Sequence, residues 1–140
     1  MKKNVIVGQS GGPTAVINAS LYGVVRAALE RKDSIGSVYG MINGIEGFLN
    51  GQIMDMEPLE ISGELKLIRT TPGSYLGSCR YKLPEDLTDP VYEKLFQRFG
   101  QYGIGYFFYI GGNDSMDTVS KLSEDLTDPV YEKLFQRFGQ

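Results

Sequence analysis

The spacing of apolar positions changes several times along the chain, and each change predicts a secondary-structure element. The β-branched run NVIVG (Asn4–Gly8) predicts a short buried strand that ends in glycine. After the turn GQSGGPT, apolar residues recur at helical spacing from about Ala15 to Arg31, which predicts a long helix. A strand, a glycine-rich turn and a helix in this order form the opening of a βαβ unit.

Two faces of this first helix are distinguishable in the sequence. Larger apolar side chains recur on one face, at Ile17, Leu21, Val24 and Ala28. A second ridge consists of small residues, which are Ala15, Ala19, Gly23 and Ala27. We expect this ridge to let the helix lie close against a sheet.

The middle of the chain predicts shorter elements. SVYGMI (Ser37–Ile42) is a second strand candidate, and NGIEGFLNGQ behind it predicts a short helix between turns. The stretch ELKLIRTTPGSYLGSCRYK (Glu64–Lys82) predicts a mixture of a short strand and glycine-rich loop.

The segment LTDPVYEKLFQRFG carries the signals of a well-defined helix. Asp89 is a favourable cap, Pro90 suits the first helical position, and Gly100 suits the end. We expect the buried face to consist of Val91, Leu95, Phe96 and Phe99.

The following run, GIGYFFYIGG (Gly103–Gly112), is apolar on both faces, as a central parallel strand must be. NDSMDTVSKL then opens another helix. Strands that alternate with helices predict an α/β fold, with a three-layer, Rossmann-like arrangement of helices over a mostly parallel sheet.

The amino-acid composition excludes several kinds of catalytic site, metal site and binding partner. The chain has 140 residues, which suits one domain, and its net charge of −3 gives no bulk attraction to nucleic acid or to an anionic membrane. The absence of histidine excludes Ser-His-Asp triads and the commonest zinc ligands. The single cysteine, Cys79, excludes an intrachain disulfide and fits a reducing compartment. Since no apolar run approaches membrane-spanning length, we expect a cytoplasmic protein.

Two glycine-rich turns, GQSGGPT and GGNDSMD, each follow a predicted strand and precede a predicted helix. Such turns let backbone N–H groups approach an anion at the positive end of a helix dipole. Neither turn is a Walker A or a GxGxxG motif. Tight chain reversal alone is the alternative for both.

The polar side chains of GGNDSMD suggest a second function for that turn. Asn113, Asp114, Ser115 and Asp117 crowd one helical turn, where they would either cap the helix or offer oxygen ligands to Mg²⁺. Arg80, in GSYLGSCRYK, is a fork-shaped donor suited to phosphate, or else a solvated surface residue.

Taken together, four segments resemble the N-terminal half of the phosphofructokinase family, in order and in approximate spacing. They are SGGPTAVINASLYGVV, VYGMINGIEGFLNG, TTPGSYLGSCR and IGGNDSMDT, and the resemblance extends from about Lys3 to Glu124. The pyrophosphate-dependent branch is the most similar. The family's fold implies a partial phosphoryl-donor-binding domain.

The resemblance implies roles for individual residues. Gly11 and Arg80 match phosphoryl-donor contacts, and the donor and Mg²⁺ loop is matched by Gly112, Asn113, Asp114 and Ser115. ATP-dependent members read GGDGS where this chain reads GGNDS, so a carboxylate at 114 stands where the ATP α-phosphate would lie. This difference favours pyrophosphate as the donor. Asn113 replaces the usual metal-binding aspartate, so Asn113 and Asp114 are both candidate metal ligands.

The implied reaction transfers a phosphoryl group from pyrophosphate to the 1-hydroxyl of fructose 6-phosphate, in glycolysis, with Mg²⁺. An ATP-dependent phosphofructokinase and a non-catalytic phosphate- or nucleotide-binding module are the alternatives. In the family the catalytic carboxylate lies in a TIDND-like segment, which these 140 residues do not contain. We therefore expect little turnover from this chain alone. The family also implies a homo-oligomer for the full-length protein, with no nucleic acid or membrane partner.

The last residues of the chain repeat an earlier segment. Residues 124–140 copy residues 85–101, and the match extends back to Lys82 and Lys121 with one difference, Pro84 against Ser123. Because stacked repeats need three or more units and drift between copies, a solenoid is the less favoured explanation. We expect residues 1–123 to form the phosphofructokinase-like domain and residues 124–140 to be a non-native helical tail.

Overall fold

The computed structural model describes residues 2–9, 14–77, 83–86 and 88–111, and for residues 14–17 it describes the backbone alone. The elements are strand β1 (Lys3–Gln9), helix α1 (Thr14–Leu29), β2 (Ile35–Met41), α2 (Gly44–Leu49), β3 (Ile53–Asp55), α3 (Glu57–Ser62), a 3₁₀ helix (Glu64–Thr70), α4 (Pro90–Gln101) and β4 (Ile104–Ile110).

The four strands form one sheet in the order β3-β2-β1-β4. β1 pairs in parallel with both β2 and β4, whereas β3 runs antiparallel to β2. In the register of β1 and β4, Gln9 lies opposite Ile110. The carboxyl ends of these two strands therefore meet at the same edge of the sheet.

Helices cover both faces of the sheet, each over its own apolar core. On one face, Val5 and Val7 of β1 pack with α1, α3 and the 3₁₀ helix, through residues that include Leu21, Leu59 and Ile68. On the other face, Ile6 packs with α2 and α4, through residues that include Phe48, Leu95 and Phe96. This alternation along β1 follows from the two-residue period of a strand. The three-layer α/β architecture with a mostly parallel sheet is confirmed.

The packing face of α1 differs from the expected one. Leu21, Val25 and Ala28 are buried, whereas the small residues Ala19 and Gly23 are exposed. Ala27 is exposed as well, so the prediction that the small ridge lies against the sheet is wrong. Burying the larger side chains removes more apolar surface from water, and the free energy gained in this way sets the rotation of the helix about its axis.

The segment between β2 and α4 is more helical than its sequence indicated. The predicted helix in NGIEGFLNGQ is confirmed as α2. The strand predicted in Glu64–Lys82 does not occur in the described residues 64–77, where Glu64–Thr70 forms the 3₁₀ helix. Two further elements, β3 and α3, were not predicted. The short antiparallel β3 has three residues, too few to show an alternating pattern.

Helix α4 matches its sequence signals at its start. The Asp89 carboxylate accepts a hydrogen bond from the backbone N–H of Val91, and Pro90 occupies the first position. Leu95, Phe96 and Phe99 are buried as predicted, together with Tyr92, which was not predicted. The end of the helix lies slightly later than expected, at Gln101, and the left-handed glycine that follows is Gly103.

β4 lies at one end of the described strand order, although its composition predicted a central strand. The side chains of Tyr106 and Phe108 are 45% and 42% exposed. They border an open groove of about 580 Å³ whose other wall is the exposed small-residue face of α1, including Gly23 and Ala27. The small ridge therefore forms a groove wall instead of a sheet contact.

Several predictions lie outside the described residues. They are the turn at residues 10–13, the helix after β4 and the repeated segment at residues 124–140. Within the described ranges, no helix has the length and apolarity that crossing a bilayer requires.

Candidate functional site

The carboxyl edge of the parallel strands brings together the starting points of two predicted loops. Residues 10–13 follow Gln9 at the end of β1, and the GGNDS segment follows Ile110 at the end of β4. Since Gln9 and Ile110 are register partners, the two loops leave from adjacent strands. Ligands of open α/β sheets bind outside this edge, where the connections diverge.

A buried network of side-chain amides ties a third segment to the same edge. Gln9 and Asn18 are fully buried, and the Gln9 Nε2 donates a hydrogen bond of 2.9 Å to the Asn18 Oδ1. The Gln9 Oε1 accepts from the backbone N–H of Leu76 at 2.8 Å. Through this pair, the end of β1 and the start of α1 contact the segment of residues 71–77.

Asn18 uses its full hydrogen-bonding capacity in this network. Its Nδ2 donates to the carbonyl oxygens of Thr71 and Gly73, at 3.0 and 2.8 Å. Its Oδ1 accepts from the backbone N–H of Tyr75 at 3.0 Å, in addition to the bond from Gln9. A buried amide satisfied at both its donors and its acceptor holds its partners firmly, because each lost bond would leave a buried polar group unpaired.

An apolar contact seats the same segment on the sheet. Leu76 is buried over β2, where a Cβ on Gly40 would come within 2.8 Å of its side chain. Gly40 therefore allows the close approach of residues 71–77 to the strand. The backbone N–H of Asn43, which precedes α2, donates to the Leu76 carbonyl at 2.9 Å. The segment is held from both sides.

The tyrosine of this segment has an altered acidity. Partial burial raises the pKa of the Tyr75 phenol, and the nearby Glu64 carboxylate raises it further. The phenol thus stays neutral at physiological pH and can donate a hydrogen bond.

The sequence-predicted site residues themselves all lie outside the described ranges. These residues are Gly11, Arg80, Gly112, Asn113, Asp114 and Ser115, together with the neighbouring Cys79 and Asp117. What the structure describes is the framework from which they extend. Among the residues it does describe, no three His, Cys, Asp or Glu side chains cluster as metal ligands would.

Gln9 and Asn18 were not predicted as site residues, although the sequence carries a signal for one of them. Asn18 falls on the same helical face as Leu21, Val25 and Ala28, so a polar amide interrupts the apolar stripe of α1. A polar residue at such a position must find hydrogen-bond partners inside the protein. The partners, which are mostly backbone groups of residues 71–76, are more than fifty residues away along the chain.

Comparison with known protein families and structures agrees with the fold. The family model described as Phosphofructokinase matches residues 4–132. A solved structure, the pyrophosphate-dependent phosphofructokinase from Nitrosospira multiformis, superposes with a TM-score of 0.80 at 42% identity. That superposition covers 94% of this chain and 32% of the other.

Two named enzymes are similar to the chain to different degrees. It is 46% identical over 120 residues to the pyrophosphate–fructose 6-phosphate 1-phosphotransferase of Methylococcus capsulatus. This alignment covers 85% of the chain but 28% of that enzyme's length. The identity to the ATP-dependent 6-phosphofructokinase of Edwardsiella ictaluri is 33% over 115 residues, which covers 82% of the chain and 33% of that enzyme.

Proposed function

Because the chain belongs to the phosphofructokinase family, we propose that it carries the phosphoryl-donor half-site of a pyrophosphate-dependent 6-phosphofructokinase. The single observation that carries the proposal is the convergence of three motif segments at one edge of the sheet. Gln9 and Ile110 are register partners, and residues 71–77 are bonded to Gln9 and Asn18. The donor contacts proposed from the sequence all continue from these points.

In the proposed site, backbone N–H groups and one guanidinium bind the donor. Gly11 follows β1, Arg80 follows residues 71–77, and Gly112 to Ser115 follow β4. Glycine-rich turns that lead into helices suit oxyanions, and an arginine fork suits phosphate.

Pyrophosphate is proposed over ATP on two grounds. Asp114 would place a negative charge where the α-phosphate of ATP would lie, so it disfavours the longer donor. The identity to a named pyrophosphate enzyme, 46%, also exceeds the 33% identity to a named ATP enzyme.

Asn113 and Asp114 are the proposed Mg²⁺ ligands. Their amide and carboxylate oxygens are hard donors of the kind this ion prefers, and it binds through a few such groups plus substrate phosphates. The bound ion would supply neutralisation of phosphate charge, which phosphoryl transfer requires.

The acceptor proposed for the family reaction is the 1-hydroxyl of fructose 6-phosphate, in glycolysis and in a cytoplasmic, homo-oligomeric enzyme. For this chain by itself we propose donor binding without appreciable turnover. A TIDND-like carboxylate segment does not occur in its 140 residues, and a carboxylate base must accept the hydroxyl proton.

Isothermal titration calorimetry with magnesium pyrophosphate, magnesium ATP and phosphate tests the donor assignment. We expect pyrophosphate to bind most tightly, and Asp114→Gly to raise the affinity for ATP. Asp33→Gly serves as the control, because it alters the charge equally but removes an exposed carboxylate from the turn between α1 and β2, at the opposite end of the strands. Tighter binding of ATP than of pyrophosphate, unaffected by Asp114→Gly, would identify an ATP-dependent site.

A coupled assay for fructose 1,6-bisphosphate tests the proposal that the chain by itself has no appreciable turnover. Turnover of fructose 6-phosphate by the purified chain, at the rate of a full-length family member, would contradict it.

The division into residues 1–123 and a non-native tail at residues 124–140 is proposed from the duplication. Limited proteolysis followed by mass spectrometry should show early cleavage within residues 125–140. Strong protection of this segment in a proven monomer would refute the division.

A further inference from the structure

We infer that Gln9 and Asn18 are positioning residues of the phosphoryl-donor site, because their side-chain amides fix residues 71–77 beside the carboxyl end of β1. The inference deepens the proposed function and rests on it. Neither residue is required to contact the donor. Their role is to set the distance between two segments that continue into donor-binding loops.

The network connects parts of the chain that are remote in sequence. Gln9 ends β1 immediately before residues 10–13, and Asn18 lies in the second turn of α1. Both amides bond to residues 71–76, which lead to Arg80. The Asn18 side chain makes three of these bonds, all to backbone groups of residues 71–75. They therefore constrain the path of that segment independently of the side chains it carries.

Burial makes this connection rigid. Both side chains are fully buried, so water cannot replace a lost partner without opening the core. A small displacement of residues 71–77 would move the start of the Arg80 loop away from the β1 edge. In an active site that depends on alignment, a misplacement of about 1 Å can lower the reaction rate on the order of a hundredfold.

The opposite end of the sheet offers a matched control. The Asn4 Nδ2 donates to the Tyr102 carbonyl at 2.7 Å, and its Oδ1 accepts from the Ser37 N–H at 2.7 Å. Asn4 is thus a second asparagine that joins remote backbone segments by its amide. It lies near the amino end of β1, away from the proposed site.

The experiment compares Asn18→Ala with Asn4→Ala in the full 140-residue chain. Thermal unfolding measures stability, and calorimetry with magnesium pyrophosphate measures donor affinity. Both variants should unfold at lower temperature. At a temperature where both remain folded, Asn18→Ala should weaken pyrophosphate binding by about tenfold or more. Asn4→Ala should change the affinity by less than about twofold, because distant sites that share no partners act independently.

A second variant, Gln9→Met, keeps the inference testable if Asn18→Ala does not fold. Gln9→Met conserves approximate length, removes the bonds to Asn18 and Leu76, and leaves the three bonds from Asn18 to the backbone of residues 71–75. We expect an intermediate loss of affinity. Hydrogen exchange supplies an independent readout, because the amides of Tyr75 and Leu76 should exchange faster in the Asn18 and Gln9 variants than in Asn4→Ala.

The outcomes separate the two proposals. If the unaltered chain does not bind pyrophosphate, the proposed function fails. If it binds, but the Asn18 and Gln9 variants match Asn4→Ala in both affinity and exchange, the positioning role is overturned and the proposed function stands. Selective loss of affinity together with faster exchange at residues 75 and 76 supports the inference.

Discussion

Gly77 and Asn43 approach so closely that a Cβ on Gly77 would lie 2.3 Å from the Asn43 Oδ1. Both residues have left-handed backbones, with φ of 77° and 61°. Gly77 ends the segment held by Gln9 and Asn18, and Asn43 immediately precedes α2. This contact therefore connects the helix on one face of the sheet with the segment that leads to Arg80.

Gly77→Ala should destabilise the fold more than Gly73→Ala does. Both glycines have φ near 78°, so each alanine pays about 1–2 kcal/mol for a left-handed backbone. A Cβ on Gly73 meets no atom within 4 Å, whereas one on Gly77 overlaps Asn43, which should add about 1–3 kcal/mol. Urea unfolding followed by circular dichroism measures both losses. The double variant with Asn43→Gly should recover part of the extra loss, and equal losses in the two single variants would contradict the overlap.

Phe96→Ala should cost far more stability than Phe135→Ala, although the local sequences of the two residues are identical. Phe96 is buried between α4 and the sheet, so its removal should lower the free energy of unfolding by about 3–5 kcal/mol. We expect about 0.5 kcal/mol for Phe135, because we propose that residues 124–140 are a non-native tail outside the core. Denaturant unfolding measures both. Similar losses would indicate that the second copy also belongs to a packed core.

Phe108→Thr should reduce the binding of an apolar dye with little loss of stability. The Phe108 side chain is exposed in the groove beside α1, and threonine retains a high strand propensity. Phe107→Thr is the matched control, because Phe107 points to the opposite face and its ring packs edge-on against Phe99, with ring centroids 5.5 Å apart.

The control should show the reverse result: a lower unfolding midpoint without a lower fluorescence of 8-anilinonaphthalene-1-sulfonate. A Phe108 variant that loses as much stability as the Phe107 variant would show that the groove is occupied in solution.

Tyr75→Phe should make the chain less sensitive to alkaline pH. Burial raises the pKa of the Tyr75 phenol above its unfolded value of about 10. The neutral phenol is then favoured in the folded state, so its contribution is complete below the unfolded pKa and is lost as pH rises through the folded pKa. Melting temperatures between pH 8 and pH 11 should fall less steeply in the variant. Tyr106→Phe, at an exposed position, controls for the loss of one tyrosine, and an unchanged slope in Tyr75→Phe would contradict the prediction.

Local patterns were sufficient to predict much of the framework. NVIVG became β1, the first amphipathic stretch became α1, and the Asp89–Pro90 pair started α4. Each of these elements is specified by neighbours within a few residues, either through strand propensity, helical spacing or a cap. The family resemblance was likewise readable from four ordered motifs and is confirmed by the match to residues 4–132.

The exposed face of α1 and the position of β4 were decided by packing. Ala19 and Gly23 have the size of a close-contact ridge, but competition with Leu21 and Val25 for the same core turned them outward. GIGYFFYIGG has the composition of a central strand, yet among the described strands it lies at one end, because that position depends on its neighbours in the sheet.

The sequence by itself determined the elements, the fold class and the family, because these follow from short-range periodicity and from motifs of contiguous residues. Tertiary structure alone decided that Gln9 and Asn18 lie together and bind residues 71–76. Those bonds go mainly to backbone groups, which are the same in every residue, so no side-chain pattern in the distant segment announces them. Their partners become apparent when the chain folds and buries two amides that must be satisfied.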